Sequence, residues 1–239
     1  MNYTAYSSQL QENGFCVIED IYTKNETEAI AAAVAAADTN AATFRKTADL
    51  FAIRQFLKTI PGIAPLVFTE QLQQFIAGMF GHDYFIVKSI YFDKPPASNW
   101  FVARHQDLTI SVDKKIPLDG FGPWTVKQDQ YAVQPPPAIL EDNFTMRIHL
   151  DDTDEHNGAL KVLPGSHATG IYRAEAADMA AEKEVICPVP KGGIMIMKPL
   201  LVHASGRSTS GQRRRVIHLE FSRQDLPDGL QWSEKLYWS

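Results

Sequence analysis

The sequence predicts a mainly β fold with flanking helices, its strands forming a sandwich or jelly roll and its helices packed on one outer face. Three observations carry that reading. Helix-period patterns are concentrated in the first third of the chain. Short apolar or alternating runs fill most of the remainder. Gly and Pro turns separate those runs. No internal repeat or linker-rich stretch divides the sequence, so residues 1–239 are expected to act as one domain.

In chain order, residues 15–18 (FCVI) form an apolar run short enough for a strand. Asn25 can cap a helix through the Ala-rich stretch 30–37, where Ile30 and Val34 share a face. Thr69 can cap a second helix. Its Leu72, Phe75, Ile76 and Met79 recur at helical spacing, and Gly81 stands where a left-handed C-terminal residue belongs. Residues 84–92 are rich in aromatic and β-branched side chains and run into Pro95-Pro96.

Residues 145–150 alternate, with Met146, Ile148 and Leu150 on one face and Thr145, Arg147 and His149 on the other. Asn157-Gly158 is a hairpin signal and is expected to join that strand to residues 159–163. Gly192-Gly193 precedes a strand at 194–197, and Ile217, Leu219 and Phe221 face one way on another. Between these runs, residues 120–137 are rich in Pro, Gly and aromatics with weak periodicity. They are expected to form a long lid or binding loop.

Composition excludes several classes. Hydrophobic residues make up 45% of the chain, enough to bury a core, so global disorder is excluded. The net charge of −5, with Arg213-Arg214-Arg215 as the sole basic cluster, argues against a nucleic-acid partner. No apolar stretch reaches the ~18 residues of a membrane helix. The N-terminus lacks the pattern of a signal peptide. Cys16 and Cys187 are far apart in apolar contexts and read as buried thiols, so a reducing cytoplasm is the expected compartment.

Histidine spacing is the informative chemistry. His105-Gln106-Asp107 puts an imidazole and a carboxylate two residues apart, on one side of a strand. Two histidines and one carboxylate on one face of a metal is the arrangement of non-haem Fe(II) oxygenases. His-x-acid pairs are weak evidence alone. About 0.8 are expected by chance among these ligand types, and the sequence has three, the others being His149-x-Asp151 and His218-x-Glu220.

Order along the chain separates the three. The first has candidate distal histidines far downstream, and one of them, His203, is delivered by the apolar run 199–202. Arg214 follows eleven residues later, at the start of what could be an antiparallel neighbour. It can clamp a carboxylate with two parallel hydrogen bonds, and Ser205 can add a third.

These stretches resemble the phytanoyl-CoA dioxygenase family of Fe(II)/2-oxoglutarate oxygenases. The resemblance lies in residues 100–110 (WFVARHQDLTI), 157–167 (NGALKVLPGSH) and 203–221 (HASGRSTSGQRRRVIHLEF), supported by residues 15–19 and 91–96 (YFDKPP). It implies a double-stranded β-helix fold, Fe(II) held by His105, Asp107 and His203, and 2-oxoglutarate bound by Arg214 with Ser205. It also implies O2 as oxidant, with succinate and CO2 released. Arg213 and Arg215 alternate away from Arg214.

Arg54 is a further candidate for the co-substrate. Related halogenating enzymes carry a small residue where Asp107 stands, so hydroxylation is the expected outcome. Candidates for a small-molecule substrate are Arg147 and His149, with Trp100 and Gln134 among the residues of closing loops. Phe121, Trp124 and Tyr131 belong either to a lid or to the core. His156 and His167 are expected in solvated turns, and His218 and Glu220 as structural or supporting polar residues. The alternatives are desaturation, epoxidation or cyclisation at the same iron, a cupin-like metal enzyme without a keto acid, and a non-catalytic jelly-roll binding protein.

Overall fold

A computed structural model describes residues 1–37, 43–47, 51–96, 98, 100–127, 130–172 and 183–238. The larger sheet runs β1 (Phe15–Ile18), β12 (Ile194–Met197), β9 (Phe144–His149), β14 (Arg214–Ser222), β4 (Phe85–Lys94), β3 (Phe51–Arg54), β2 (Phe44–Lys46). The smaller sheet facing it runs β11 (Val185–Cys187), β10 (Leu160–Val162), β13 (His203–Ser205), β5 (Val102–His105). A three-stranded sheet, β6 (Ile110–Val112), β8 (Gln130–Val133) and β7 (Trp124–Lys127), lies beyond them. The described pairings are antiparallel, as a jelly roll requires.

The larger sheet has two unlike faces, and alternation creates both. Outward, Met146, Ile148, Ile196, Ile217, Leu219 and Phe221 join the main apolar core. The helices α1 (Tyr3–Asn13), α2 (Lys24–Ala35) and α5 (Glu70–Phe80) cover that core, with the short α3 (Phe56–Thr59) and α4 (Ala64–Val67) between the latter two. Inward, register lines up Arg147 with His218 and Glu220 with Lys88 across neighbouring strands. One end of the sandwich interior is filled by Leu160, Val162, Met195, Met197 and Leu201, and the polar row occupies the other.

Four local expectations need correction. Helix α2 is capped by Thr23 rather than Asn25. Thr23 accepts from the Glu26 amide and its own amide donates to the Glu26 carboxylate, a reciprocal box that Asn25 cannot form. Gly81 does end α5, but at φ 79°, ψ −163°, a region open to glycine and not the left-handed helical one.

Asn157-Gly158 is a turn but not a hairpin: β9 and β10 belong to different sheets. Asn157 is consumed in capping the crossover, taking the Asp154 amide at 2.8 Å and donating to the Asp152 carbonyl at 2.7 Å. Residues 120–137 are not an open loop either. They hold β7, β8 and the start of α6 (Pro137–Asp142), and Phe121, Trp124 and Tyr131 pack on a second core around Val133, Leu200 and Trp232. Those aromatics are therefore core, not lid.

Among the described residues, no helix is long and apolar enough to cross a membrane. Cys16 and Cys187 are buried free thiols, each pushed up to about 12 by burial.

Candidate metal and anion site

Strands β5 and β13 pair so that His105 lies opposite His203, with ring centroids 4.3 Å apart. Each ring is fixed by its own backbone. His105 Nδ1 lies 2.9 Å from the Ala103 carbonyl, and His203 Nδ1 lies 2.9 Å from the Leu201 carbonyl. A carbonyl can only accept, so both protons sit on Nδ1 and both Nε2 lone pairs are left open.

Asp107 was expected on the same strand as His105, yet β5 ends at His105. The carboxylate is placed instead by a pinned loop. The Asp107 amide donates to the Pro199 carbonyl at 2.9 Å. Between the two, the Gln106 side chain donates to the carbonyls of Leu200 (2.6 Å) and Gly170 (2.8 Å) and accepts from the Tyr172 amide (2.8 Å). Gln106 carried no sequence signal beyond its place between two candidate ligands.

Asp107 Oδ1 is 3.7 Å from His105 Nε2, and Oδ2 is 3.9 Å from His203 Nε2. These spacings are too long for hydrogen bonds. One donor atom from each of the three side chains lies within 4.8 Å of the others. Asp107 Oδ2 is buried with no hydrogen-bond partner.

An orphaned carboxylate oxygen facing two imidazole lone pairs is a donor set suited to a divalent ion of the Fe(II) class, with three ligands and room for others. Burial alone would raise the Asp107 carboxyl, but His203, His218, Lys88 and His105 hold it down at about 2, so it is ionised. Burial lowers His203 to about 4, leaving it neutral as a ligand must be.

A second pole faces this cluster from the larger sheet. Arg214, 3% exposed, opens β14. It is not an antiparallel neighbour of β13, as spacing suggested; the two strands lie in opposite sheets and Arg214 reaches across the gap. Its Nη1 donates to Ser205 Oγ at 3.4 Å and to the Gly158 carbonyl, while its Nε is buried without a partner. Ser205 Oγ donates to the same carbonyl at 3.0 Å. Gly158 is held at φ 90°, and a Cβ there would fall 2.9 Å from Lys94 Nζ. Burial, then Arg147, lowers Arg214 to about 9, which leaves it a cation at neutral pH.

The cavity between the poles has a volume of about 230 Å³, and His105, Asp107, His203, Ser205, Arg214 and Arg147 all line it. Phe92, Trp100, Leu160 and His218 are also in its wall. Behind Arg147 runs a polar chain that joins His218 and Glu220, expected as structural or supporting residues, to Lys88, which has no distinguishing sequence pattern. Arg147 Nη1 meets His218 Nδ1 at 3.3 Å, His218 Nε2 meets Glu220 at 3.1 Å, and Lys88 meets Glu220 at 2.8 Å.

Other candidates fall outside. His149 is buried beside this cavity without lining it. Its Nδ1 lies 2.8 Å from Thr153 Oγ1, and burial, then Arg147 and Arg214, keeps it neutral. Arg54 shares a cross-strand row with Ile90 and His218 but sits one strand beyond the wall. Gln134 does not line the cavity; its backbone is bonded to Gly122 and Pro123 beside β8. Arg213 and Arg215 point outward, as alternation predicts, and pair with Asp93 and Asp151. His156 is exposed, whereas His167 is half-buried against the Gln11 carbonyl rather than free in solvent.

The architecture recurs in solved structures. EctD from S. alaskensis, with 2-oxoglutarate and 5-hydroxyectoine, matches at a TM-score of 0.68 and 19% identity over 90% of this chain and 74% of that one. Two curated relatives are similar in sequence. An L-proline trans-4-hydroxylase of Streptomyces griseoviridis is 27% identical over 34% of this chain and 41% of its own length. A probable alpha-ketoglutarate-dependent hypophosphite dioxygenase of Stutzerimonas stutzeri is 29% identical over 37% of each. Both matches thus span well under half of the relative. The model of the phytanoyl-CoA dioxygenase (PhyH) family matches residues 10–216, nearly the whole of the fold just described, and the chain belongs to that family.

Proposed function

We propose that this chain is a non-haem Fe(II)/2-oxoglutarate-dependent dioxygenase that hydroxylates a C–H bond of a small molecule, its residues 1–239 working as one domain in the cytoplasm. One observation carries the reading. The three potential ligand atoms of His105, Asp107 and His203 and the open Nε edge of Arg214 face each other across a single cavity.

In this reading His105, Asp107 and His203 hold the iron. Arg214 and Ser205 receive the distal carboxylate of 2-oxoglutarate in a charge-assisted pair. When bound, the iron and the keto acid together supply the oxidising power, with O2 as oxidant and succinate and CO2 as co-products. The chain's part is to orient the reactants and keep water out. Phe92, Trp100 and Leu160 give the cavity its apolar wall. The relatives' names support a small substrate, since L-proline and hypophosphite are both compact.

The test is anaerobic addition of Fe(II) and then 2-oxoglutarate, watching for the weak visible charge-transfer band of a chelated keto acid. The wild type should develop the band. Arg214→Ala should need far more co-substrate, since loss of one partner of a buried charge pair costs ~2–5 kcal/mol. Folded wild-type protein with no band would return the cupin-like or binding-protein reading.

A further inference from the structure

Two buried guanidinium groups open on the cavity, and the co-substrate needs one. Arg147 is the second. It is 9% exposed, lines the cavity from β9, and makes no ion pair among the described residues. Its Nη1 is held by His218 and its Nε is buried with no partner.

The other arginines show what that open edge is for. Arg104, Arg213, Arg215 and Arg223 each grip a carboxylate through Nε and Nη2 together, on Glu184, Asp93, Asp151 and Asp142. Arg214 and Arg147 present the same edge with nothing on it, and in both the Nη1 corner is fixed by the protein. The fixing of Arg147 is deliberate in form. Lys88 donates to Glu220, the Glu220 carboxylate accepts from His218 Nε2, and His218 Nδ1 is left to accept from Arg147.

Charge leads to the same place. Lys88 is balanced by Glu220. A divalent ion, a dianionic co-substrate, Asp107 and Arg214 balance among themselves. The Arg147 charge remains, in a site where an unpaired buried charge is costly.

We infer that Arg147 is the anion clamp for the primary substrate, which is therefore a compact molecule bearing a carboxylate. This rests on the dioxygenase reading above. The planar Nε–Nη2 fork matches a carboxylate with two parallel hydrogen bonds, and the small cavity, shared with the co-substrate, limits the remainder to a short carbon skeleton.

The experiment compares wild type, Arg147→Met, Arg147→Lys and Arg214→Met, each loaded with redox-inert Zn(II) and saturating 2-oxoglutarate. The probes are acetate, propionate and L-proline, each against its own amide, read by thermal shift and by tryptophan fluorescence, since Trp100 lines the cavity. Wild type should respond to the acids and not to the amides. Arg147→Met should lose that preference and Arg147→Lys keep part of it. Without probe, Arg147→Met should match or exceed wild-type stability, because it removes an unpaired buried charge. Its affinity for 2-oxoglutarate should stay within about threefold, while Arg214→Met weakens it by about thirtyfold or more.

Equal or absent responses to acid and amide, in a wild type that does respond to 2-oxoglutarate, would overturn the clamp. So would a less stable Arg147→Met, which would make Arg147 a core strut, or one that loses 2-oxoglutarate like Arg214→Met. A wild type indifferent to 2-oxoglutarate itself sinks the dioxygenase reading first.

Discussion

Strands β9 and β14 carry opposite chemistry on their two faces. Outward, Met146, Ile148, Ile217, Leu219 and Phe221 lie in the helix-covered core. Inward, Arg147, Arg214, His218 and Glu220 are also buried, yet the Nε atoms of Arg147 and Arg214 lack partners. Burial of the first face stabilises the fold. Burial of the second opposes it, a deficit that ligands bound there would offset. One sheet thus supports its site by spending the surplus of its other side.

Substitutions should split along that line. The largest loss is expected outward: Phe221→Ala, stripping a ring stacked on Phe144 at 4.6 Å, should cost ~3–5 kcal/mol in urea unfolding. Arg214→Ala should cost ~2–5 kcal/mol, but in co-substrate affinity rather than in stability, measured by anaerobic titration. A large drop in unfolding midpoint for this variant would blur the distinction between the faces.

Asp107→Ala should abolish iron binding and turnover while leaving the unfolding free energy in urea within about 1 kcal/mol of wild type. Wild-type activity in that variant would remove the triad, and full activity of His203→Ala would redirect attention to His149 and Asp151. Gly158→Ala, forced to φ 90° against Lys94, should lose ~1–3 kcal/mol of stability and weaken 2-oxoglutarate binding with it. Smallest of all, Lys24→Ala breaks an i,i+4 pair with Glu28 whose side chains are 78% and 54% exposed, and should change the unfolding free energy by less than about 1 kcal/mol.

The outward face was the more legible in the sequence, because period-2 alternation is local information. Met146, Ile148, Ile217 and Leu219 announce a strand and its buried side without reference to any other segment. Which sheet a strand joins is not local. Hence Asn157-Gly158 read as a hairpin when it is a crossover, and Arg214 was placed beside His203 when it stands opposite.

The residues His105, Asp107, His203, Ser205 and Arg214 stood out by type and spacing, and the fold brings them to one cavity. Their supports did not stand out. Lys88, Glu220 and His218 lie on two strands far apart in the chain, and only register joins them. Arg54 and Gln134 were plausible by type and are set aside by position.

Gln106 ties the metal site to a distant part of the chain. Its one amide group holds Gly170, Tyr172 and Leu200 while its neighbours on either side supply His105 and Asp107. The residues just after the Ser166–Thr169 turn are therefore mechanically geared to the carboxylate. A ligand, or a change in sequence, that shifts the backbone at 170–172 would strain the hydrogen bonds that hold Gln106, the residue next to Asp107. Tuning of this centre need not touch the cavity at all.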